Sequence, residues 1–307
     1  MQATRAQILD ALSDGPRTGP KLAEELDITR AAVWKHIEAL REDGFEVVSN
    51  AAGYELEAVP DYGASAVEFG LDAPYEVEYH DSIDSTNRRG RELAGDGRED
   101  IVVLADEQTG GRGRLKREWS SPSGGIWLSL LLRPTMPTTH APLVTMAAAV
   151  ATAEAVASTG VEPEIKWPND VLVDGKKVSG ILTEMEGEAD RISWLVVGIG
   201  INANVDIESL PEDRATSLRE LCGDVDRREV VQTLLESMSE LVADRDRILS
   251  AWRARSGTLG RRVSVETPNG EIVGEAVDVE SPGALLVDTA DGRERVTVGD
   301  CEHLRPE

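Results

Sequence analysis

Three of the chain's six lysines, Lys166, Lys176 and Lys177, fall within twelve residues, in a protein that otherwise carries its positive charge on twenty-six arginines. A compact ammonium and a planar guanidinium serve different chemistry, so this local switch to lysine marks a place where a point charge is wanted. The segment KWPNDVLVDGKKVSGILTE, residues 166–184, also crowds Asn169 and Asp170 among apolar neighbours. Its Asp174-Gly175 pair between β-rich runs predicts a tight hairpin. The plainer reading is a hairpin with a charged tip; the lysine usage argues for a site.

A second constellation lies upstream. Residues 107–119, EQTGGRGRLKREW, place three glycines and four basic residues in a short loop. Glycines let backbone N–H groups approach a phosphate, and arginines supply paired donors to phosphate or carboxylate. The G-K-[ST] ending of a Walker loop is absent. A third lies at Ser85-Thr86-Asn87, directly before a helical run through Leu93. These three either cap that helix or turn their hydroxyls and amide into a pocket at its N-terminus. No Ser-His or Cys-His arrangement for a protein nucleophile is evident.

The elements that must position these groups read in three blocks. In residues 4–57, apolar spacing predicts helices around Ile8–Leu12, Leu22–Leu26 and Ala32–Leu40, the last capped by Thr29. A turn at Asn50-Ala51 then joins two strands. This is winged helix-turn-helix grammar, with Arg30, Trp34 or Lys35, His36 and Arg41 on the outward face of the third helix. The block holds six basic and eleven acidic residues, so any DNA contact must rest on that local helix. A small helical domain for protein contacts is the alternative.

Residues 61–72 read as a linker. The central block runs from strand Tyr75–His80 through strands Ile101–Ala105 and Ile126–Leu132, helix Leu143–Ser158, the hairpin, and strand Ser193–Ile201, ending in GIGIN at 198–202. One long helix is expected from Asp226 towards Trp252. From Leu259 the apolar period becomes two, with turns at Asn269-Gly270, Pro282-Gly283 and Asp291-Gly292, which predicts a small β-barrel.

The formal charge of −25 and pI near 4.5 suit solubility in concentrated salt, and 40% apolar residues argue against disorder. We therefore expect a halophilic protein. Two isolated cysteines and four scattered histidines suggest neither a disulfide framework nor a protein-built metal site. The start lacks a secretory apolar core, and Glu154 interrupts the apolar helix, so a cytoplasmic protein without a membrane span is expected.

Taken together, DSTN at 84–87, GRGR at 111–114 with Trp119, KWPND at 166–170, GKKVSGIL at 175–182 and GIGIN at 198–202 resemble the biotin–protein ligase family, in the bifunctional form that also represses the biotin operon. The resemblance covers nearly the whole chain. It implies an α+β architecture: a winged helix-turn-helix at 1–60, a linker at 61–72, a class II synthetase-like mixed-sheet ligase domain at 73–257, and an SH3-like barrel at 258–307. It further implies ATP and Mg²⁺, biotin as substrate, a biotin carboxyl carrier protein or domain supplied in trans, operator DNA, and a homodimer through the central sheet.

Site roles follow from the same resemblance. Ser85, Thr86, Asn87 and Gln108 are expected at the ureido end of biotin. Arg112, Gly113 and Arg114 are expected to close over the valerate and phosphate, with Lys177 on both. Gly111, Trp119, Lys166, Asn169 and Asn202 are expected on the nucleotide side, with Asn169, Asp170 and Asn202 also towards Mg²⁺. Asp170 is the expected orienter or base for the acceptor amine. Arg30, Lys35, His36 and Arg41 are expected on DNA. One departure stands out: Leu115-Lys116 occupy positions where family loops commonly carry Arg-Gly. A lipoate–protein ligase would share the fold but not KWPND or the GRGR loop. A non-catalytic biotin-sensing repressor would keep only part of the Arg112/Arg114/Lys177 set.

Overall fold

The structure is a computed structural model that describes residues 1–210 and 214–304; the side chain of Lys116 also lies outside the described set. The chain divides into two compact units, Met1–Leu71 and Asp72–Glu307.

The first unit comprises helices α1 (Ala3–Ser13), α2 (Gly19–Glu25) and α3 (Arg30–Glu42), the antiparallel wing strands β1 (Glu46–Asn50) and β2 (Gly53–Ala58), and α4 (Ala64–Glu68). Thr18 and Thr29 accept hydrogen bonds from the amides of Lys21 and Ala32, capping α2 and α3. Each such cap stabilises its helix by about 1 kcal/mol. Ile8, Leu9, Leu12, Leu22, Val33, Ile37, Leu40, Phe45 and Val47 form the core. The stretch 61–72 is not bare connection. It carries α4, and Phe69 packs edge-on against Phe45 with ring centroids 5.9 Å apart.

The second unit opens with β3 (Glu76–Ile83), α5 (Thr86–Gly95), β4 (Ile101–Gln108), β5 (Ile126–Leu132) and α6 (Ala141–Ala157). It continues with β6 (Pro163–Lys166), β7 (Asp170–Val173), β8 (Lys176–Glu188) and β9 (Arg191–Ile201). These strands form one mixed sheet in the order β3-β4-β5-β9-β8-β7-β6, in which only β3 and β4 pair in parallel. At the β7–β8 turn, Asp174 and Gly175 both take positive φ (50° and 72°), the backbone of the predicted hairpin. β8 runs on for thirteen residues after the turn.

Helix α6 with the 3₁₀ turn before it, Thr138–Ala157, is long and apolar enough to cross a membrane by length and composition alone, yet α6 packs against β6–β9 and most of it is buried. Helices α7 (Leu218–Cys222), α8 (Arg227–Ala243) and α9 (Ile248–Ala254) follow. The single long helix expected here is two. Asp244 leaves the helical region at φ −119°, ψ 78°, and the chain restarts at Ile248.

The C-terminal sheet comprises β10 (Arg262–Thr267), β11 (Gly270–Glu280), β12 (Ala284–Thr289), β13 (Gly292–Val296) and β14 (Asp300–His303). All its pairings are antiparallel, in the order β13-β12-β11-β10-β14. Trp167 ties it to the central sheet: the indole N–H donates to the Gly283 carbonyl at 3.0 Å, and the backbone N–H donates to Thr258 Oγ1 at 2.9 Å.

Candidate active site

Glycine spacing on β9 makes the floor of the site. A Cβ at Gly198 would lie 2.1 Å from Asn87 Oδ1, and one at Gly200 would lie 2.6 Å from Trp119 Nε1. Gly180, paired with Gly200 across β8 and β9, would bring its Cβ within 3.2 Å of the same indole ring. Three side-chain-free positions thus admit one amide and one indole directly onto the sheet. Above them opens a cavity of about 980 Å³.

One end of the cavity is a network of neutral hydrogen-bonding groups. Gln108 Oε1 accepts from the Thr86 backbone N–H at 2.9 Å and the Thr86 hydroxyl at 3.0 Å, while Gln108 Nε2 donates to Ser121 Oγ at 3.1 Å. The Ser129 hydroxyl, fully buried on β5, donates to Asn87 Oδ1 at 2.6 Å and lies 2.7 Å from Thr86 Oγ1. Thr86 and Asn87 are themselves buried. Ser85 lines the cavity but spends its Oγ on the Arg88 amide, at 3.4 Å, as the cap of α5.

The other end is cationic. Lys177 Nζ lies 2.8 Å from Asp170 Oδ1 and 4.9 Å from the centroid of the Trp119 ring. Arg114 donates to Asn169 Oδ1 at 2.8 Å and to the Gly299 carbonyl at 2.7 Å. Arg117 pairs with Asp300 at 2.8 Å, so the glycine-arginine loop is fastened to the C-terminal sheet. Arg112, Gly113, Lys166 and Arg214 also line the cavity. Leu115 takes a left-handed backbone (φ 55°) that glycine would adopt without strain, and leaves its side chain 72% exposed.

From the C-terminal sheet, Cys301 and His303 also reach the wall. Burial pushes the Cys301 thiol up to about 12, and burial with the nearby Arg261 and Lys166 charges lowers His303 to about 4. At neutral pH one is a thiol and the other a neutral imidazole. They add neither charge nor a thiolate nucleophile to the wall.

Several expected placements need correction. Asn202 is 2% exposed and outside the cavity lining; its Nδ2 donates to the Thr216 carbonyl at 2.9 Å, so it braces the loop after β9. Gly111 is likewise behind the cavity, its carbonyl accepting the Trp119 N–H at 3.0 Å. Asp170, the expected orienter or base, is paired with Lys177. On α3, Arg30 and Lys35 are exposed and His36 is half-buried, but Arg41 is turned onto the wing. Its guanidinium donates to the Val47 carbonyl, Glu38 and Ser49.

The sequence reading missed Ser129, Glu184 and the contribution of Gly299–His303. A lone hydroxyl inside the otherwise apolar strand IWLSLLL was the available signal for Ser129. The edge of a separate sheet carries no local signal at all.

Comparison with known proteins agrees with this geometry. The biotin/lipoate A/B protein ligase family model matches residues 79–202, the biotin protein ligase C-terminal domain model matches 258–304, and a helix-turn-helix domain model matches 4–55. The bifunctional ligase/repressor BirA of Bacillus subtilis is 38% identical over 302 residues, covering 93% of each chain. The chain belongs to this bifunctional biotin–protein ligase family. The ligase is also 34% identical to the biotin–[acetyl-CoA-carboxylase] ligase of Mycobacterium tuberculosis, over 67% of this chain and 79% of that one. Among solved structures, the Aquifex aeolicus biotin protein ligase in complex with biotin and ATP superposes with a TM-score of 0.65 at 31% identity, covering 74% of this chain and 99% of that one. The ligase thus joins a helix-turn-helix unit to the mixed-sheet and C-terminal domains of biotin–protein ligases.

Proposed function

We propose that the ligase condenses biotin with ATP to biotinyl-adenylate and pyrophosphate, then passes biotin to a lysine of a biotin carboxyl carrier protein or domain supplied in trans. One observation carries this reading: a single cavity has an uncharged polar wall at Thr86, Asn87 and Gln108, backed by the buried Ser129 hydroxyl and bordered by the Glu184–Arg91 ion pair, and a cationic end at Arg112, Arg114 and Lys177. The first end suits a cyclic urea. The second suits a carboxylate meeting a phosphate, two anions that repel unless cations stand between them.

The chemistry needs positioning and charge rather than a protein nucleophile, because the biotin carboxylate itself attacks the α-phosphorus. Its oxygen forms the new bond as pyrophosphate leaves. Arg112, Arg114 and Lys177 stabilise charge on the reacting oxygens. Trp119 and Lys166 flank the nucleotide, and Asn169 orients Arg114 through the 2.8 Å contact. The described residues hold no group of three metal-ligating side chains. A magnesium ion would arrive with the nucleotide, and Asp170, beside Lys177 in the cavity wall, is one carboxylate that would hold it. When bound, that ion supplies charge neutralisation on the phosphates. In the second step the acceptor amine attacks the adenylate carbonyl and AMP leaves; Asp170 orients that amine.

The test is exchange of radiolabelled pyrophosphate into ATP, with biotin and separately with lipoate. The acidic composition leads us to infer a protein of a high-salt cell, so the assay is run in concentrated salt. Exchange with biotin alone is expected. Exchange with lipoate instead would make the chain a lipoate–protein ligase, and exchange with neither would leave a biotin-sensing repressor.

The first unit supports operator binding by the ligase. Of its six basic side chains, Arg5, Arg17, Lys21 and Arg41 are in ion pairs, whereas Arg30 and Lys35 are in none among the described residues. They flank Trp34, which is 58% exposed. We infer that this half of α3 enters the major groove, with Trp34 against apolar base edges. Trp34→Ala is expected to weaken binding to a duplex selected from a random library by about tenfold at unchanged salt slope. Arg30→Ala is expected to lower the slope of log K against log salt by about one. Electrophoretic titration across salt concentrations reads both. An unchanged Trp34→Ala affinity would place the interface elsewhere. Homodimerisation is a further part of this reading, tested by sedimentation with and without biotin and ATP.

A further inference from the structure

The Asn87 side chain has no freedom in how it presents its amide. Its Nδ2 lies 2.8 Å from Glu184 Oε2 and 3.3 Å from the Leu182 carbonyl oxygen. A carboxylate and a carbonyl only accept hydrogen bonds, so the nitrogen must face them and the oxygen must face Ser129, 2.6 Å away. Both amide hydrogens are thereby spent inside the protein. What Asn87 still offers is the second lone pair of Oδ1, which accepts and cannot donate. The close floor at Gly198 blocks retreat towards the sheet. Glu184 is itself steered: its other oxygen, Oε1, lies 3.4 Å from Arg91, and both residues line the cavity.

We propose that Glu184 is a positioning residue for substrate choice, holding Asn87 as a hydrogen-bond acceptor towards the bound head group. A cyclic urea brings two N–H donors to such a wall. A dithiolane ring brings none and leaves that second lone pair unmet, which disfavours it. The proposal rests on the reading above, in which Asn87 borders the biotin head group, and adds the group that sets its polarity. Without Glu184 the nitrogen keeps only its longer contact to the Leu182 carbonyl, so the amide is less firmly held and the flipped form, a donor facing the urea's own N–H donors, becomes more populated.

The experiment compares parent, Glu184→Ala and Glu184→Gln in pyrophosphate exchange, with biotin, lipoate and ATP each varied, and with thermal melts to confirm folding. For Glu184→Ala the biotin KM is expected to rise on the order of tenfold, and the preference for biotin over lipoate to fall by a similar factor. The ATP KM is expected to stay within about twofold of the parent. Glu184→Gln is expected to recover most of the preference, because its own Oε1 can still accept from Asn87 Nδ2. An unchanged biotin KM in Glu184→Ala overturns the proposal, as does an equal rise in the biotin and ATP KM values, the mark of a merely structural role. A glutamine variant as poor as alanine overturns the acceptor argument. Parent exchange measured alongside separates the two levels: a parent that ignores biotin overturns the substrate assignment itself, and this proposal with it.

Discussion

Replacing Lys177 by alanine is expected to lower biotin-dependent pyrophosphate exchange by about a thousandfold, with the biotin KM changed much less. The reasoning is electrostatic. The first step brings a carboxylate onto a phosphate, and an ammonium about 4 Å from the developing charge is worth roughly 4 kcal/mol at an effective dielectric near 20. That energy corresponds to about three orders of magnitude in rate. Lys177 is prepared for this work. Asp170 at 2.8 Å and the Trp119 face at 4.9 Å hold the ammonium in the cavity wall before substrate arrives. Preorganised charge costs no rearrangement at the moment of reaction.

Arginine is not an equal substitute for Lys177. A Cβ at Gly180 would meet Lys177 Cε at 3.0 Å, which shows how closely the lysine stem lies on the sheet. The broad planar fork of arginine lacks that room. Lys177→Arg is therefore expected to recover only part of the rate, on the order of a tenth of the parent. Exchange by Lys177→Ala within tenfold of the parent would remove Lys177 from the catalytic set and shift the burden to Arg112 and Arg114.

Features fixed by local chemistry were legible in the amino-acid sequence. Asp174-Gly175 specified its turn because few residue pairs accept positive φ twice in succession. Thr29 announced the start of α3, and the apolar run from Ser193 into Gly-Ile-Gly-Ile announced β9. Features that depend on tertiary context were not legible. The apolar spacing of Val230 to Leu241 continues through Ile248 and Trp252, so periodicity alone could not reveal the break at Asp244. Arg41 has the outward-facing look of a phosphate ligand, but the wing offers it two acceptors, Val47 and Ser49, and Glu38 of its own helix a third. Asn202 sits inside a site-like motif and yet serves the loop behind it. The fastening of Arg114 to Gly299 joins residues 185 positions apart, a distance no local pattern spans.

The bare face of β9 yields the other large expected effect. Gly198→Ala is expected to raise the biotin KM on the order of a hundredfold while the protein remains folded. The new methyl would stand 2.1 Å from Asn87 Oδ1 and 2.9 Å from its Cγ, inside any permissible contact. Asn87 cannot shift without breaking contacts, since Ser129, Leu182 and Glu184 hold its amide. Overpacking of this kind typically costs about 1–3 kcal/mol, and here the strain falls on the head-group wall. Gly200→Ala, two residues along the same face, strikes the Trp119 ring at 2.6 Å instead. Its effect is expected mainly on the ATP KM and on the rate, because Lys177 rests over that ring. Gly95, with nothing within 4 Å of its Cβ position, supplies the control and is expected to tolerate alanine. Adding Asn87→Ala to Gly198→Ala is expected to restore thermal stability without restoring biotin use, because it removes the clash and the acceptor together. If both single glycine variants raised the biotin and ATP KM values alike, the cavity would be one undivided site, and the division into a neutral head-group end and a cationic reaction end would fail.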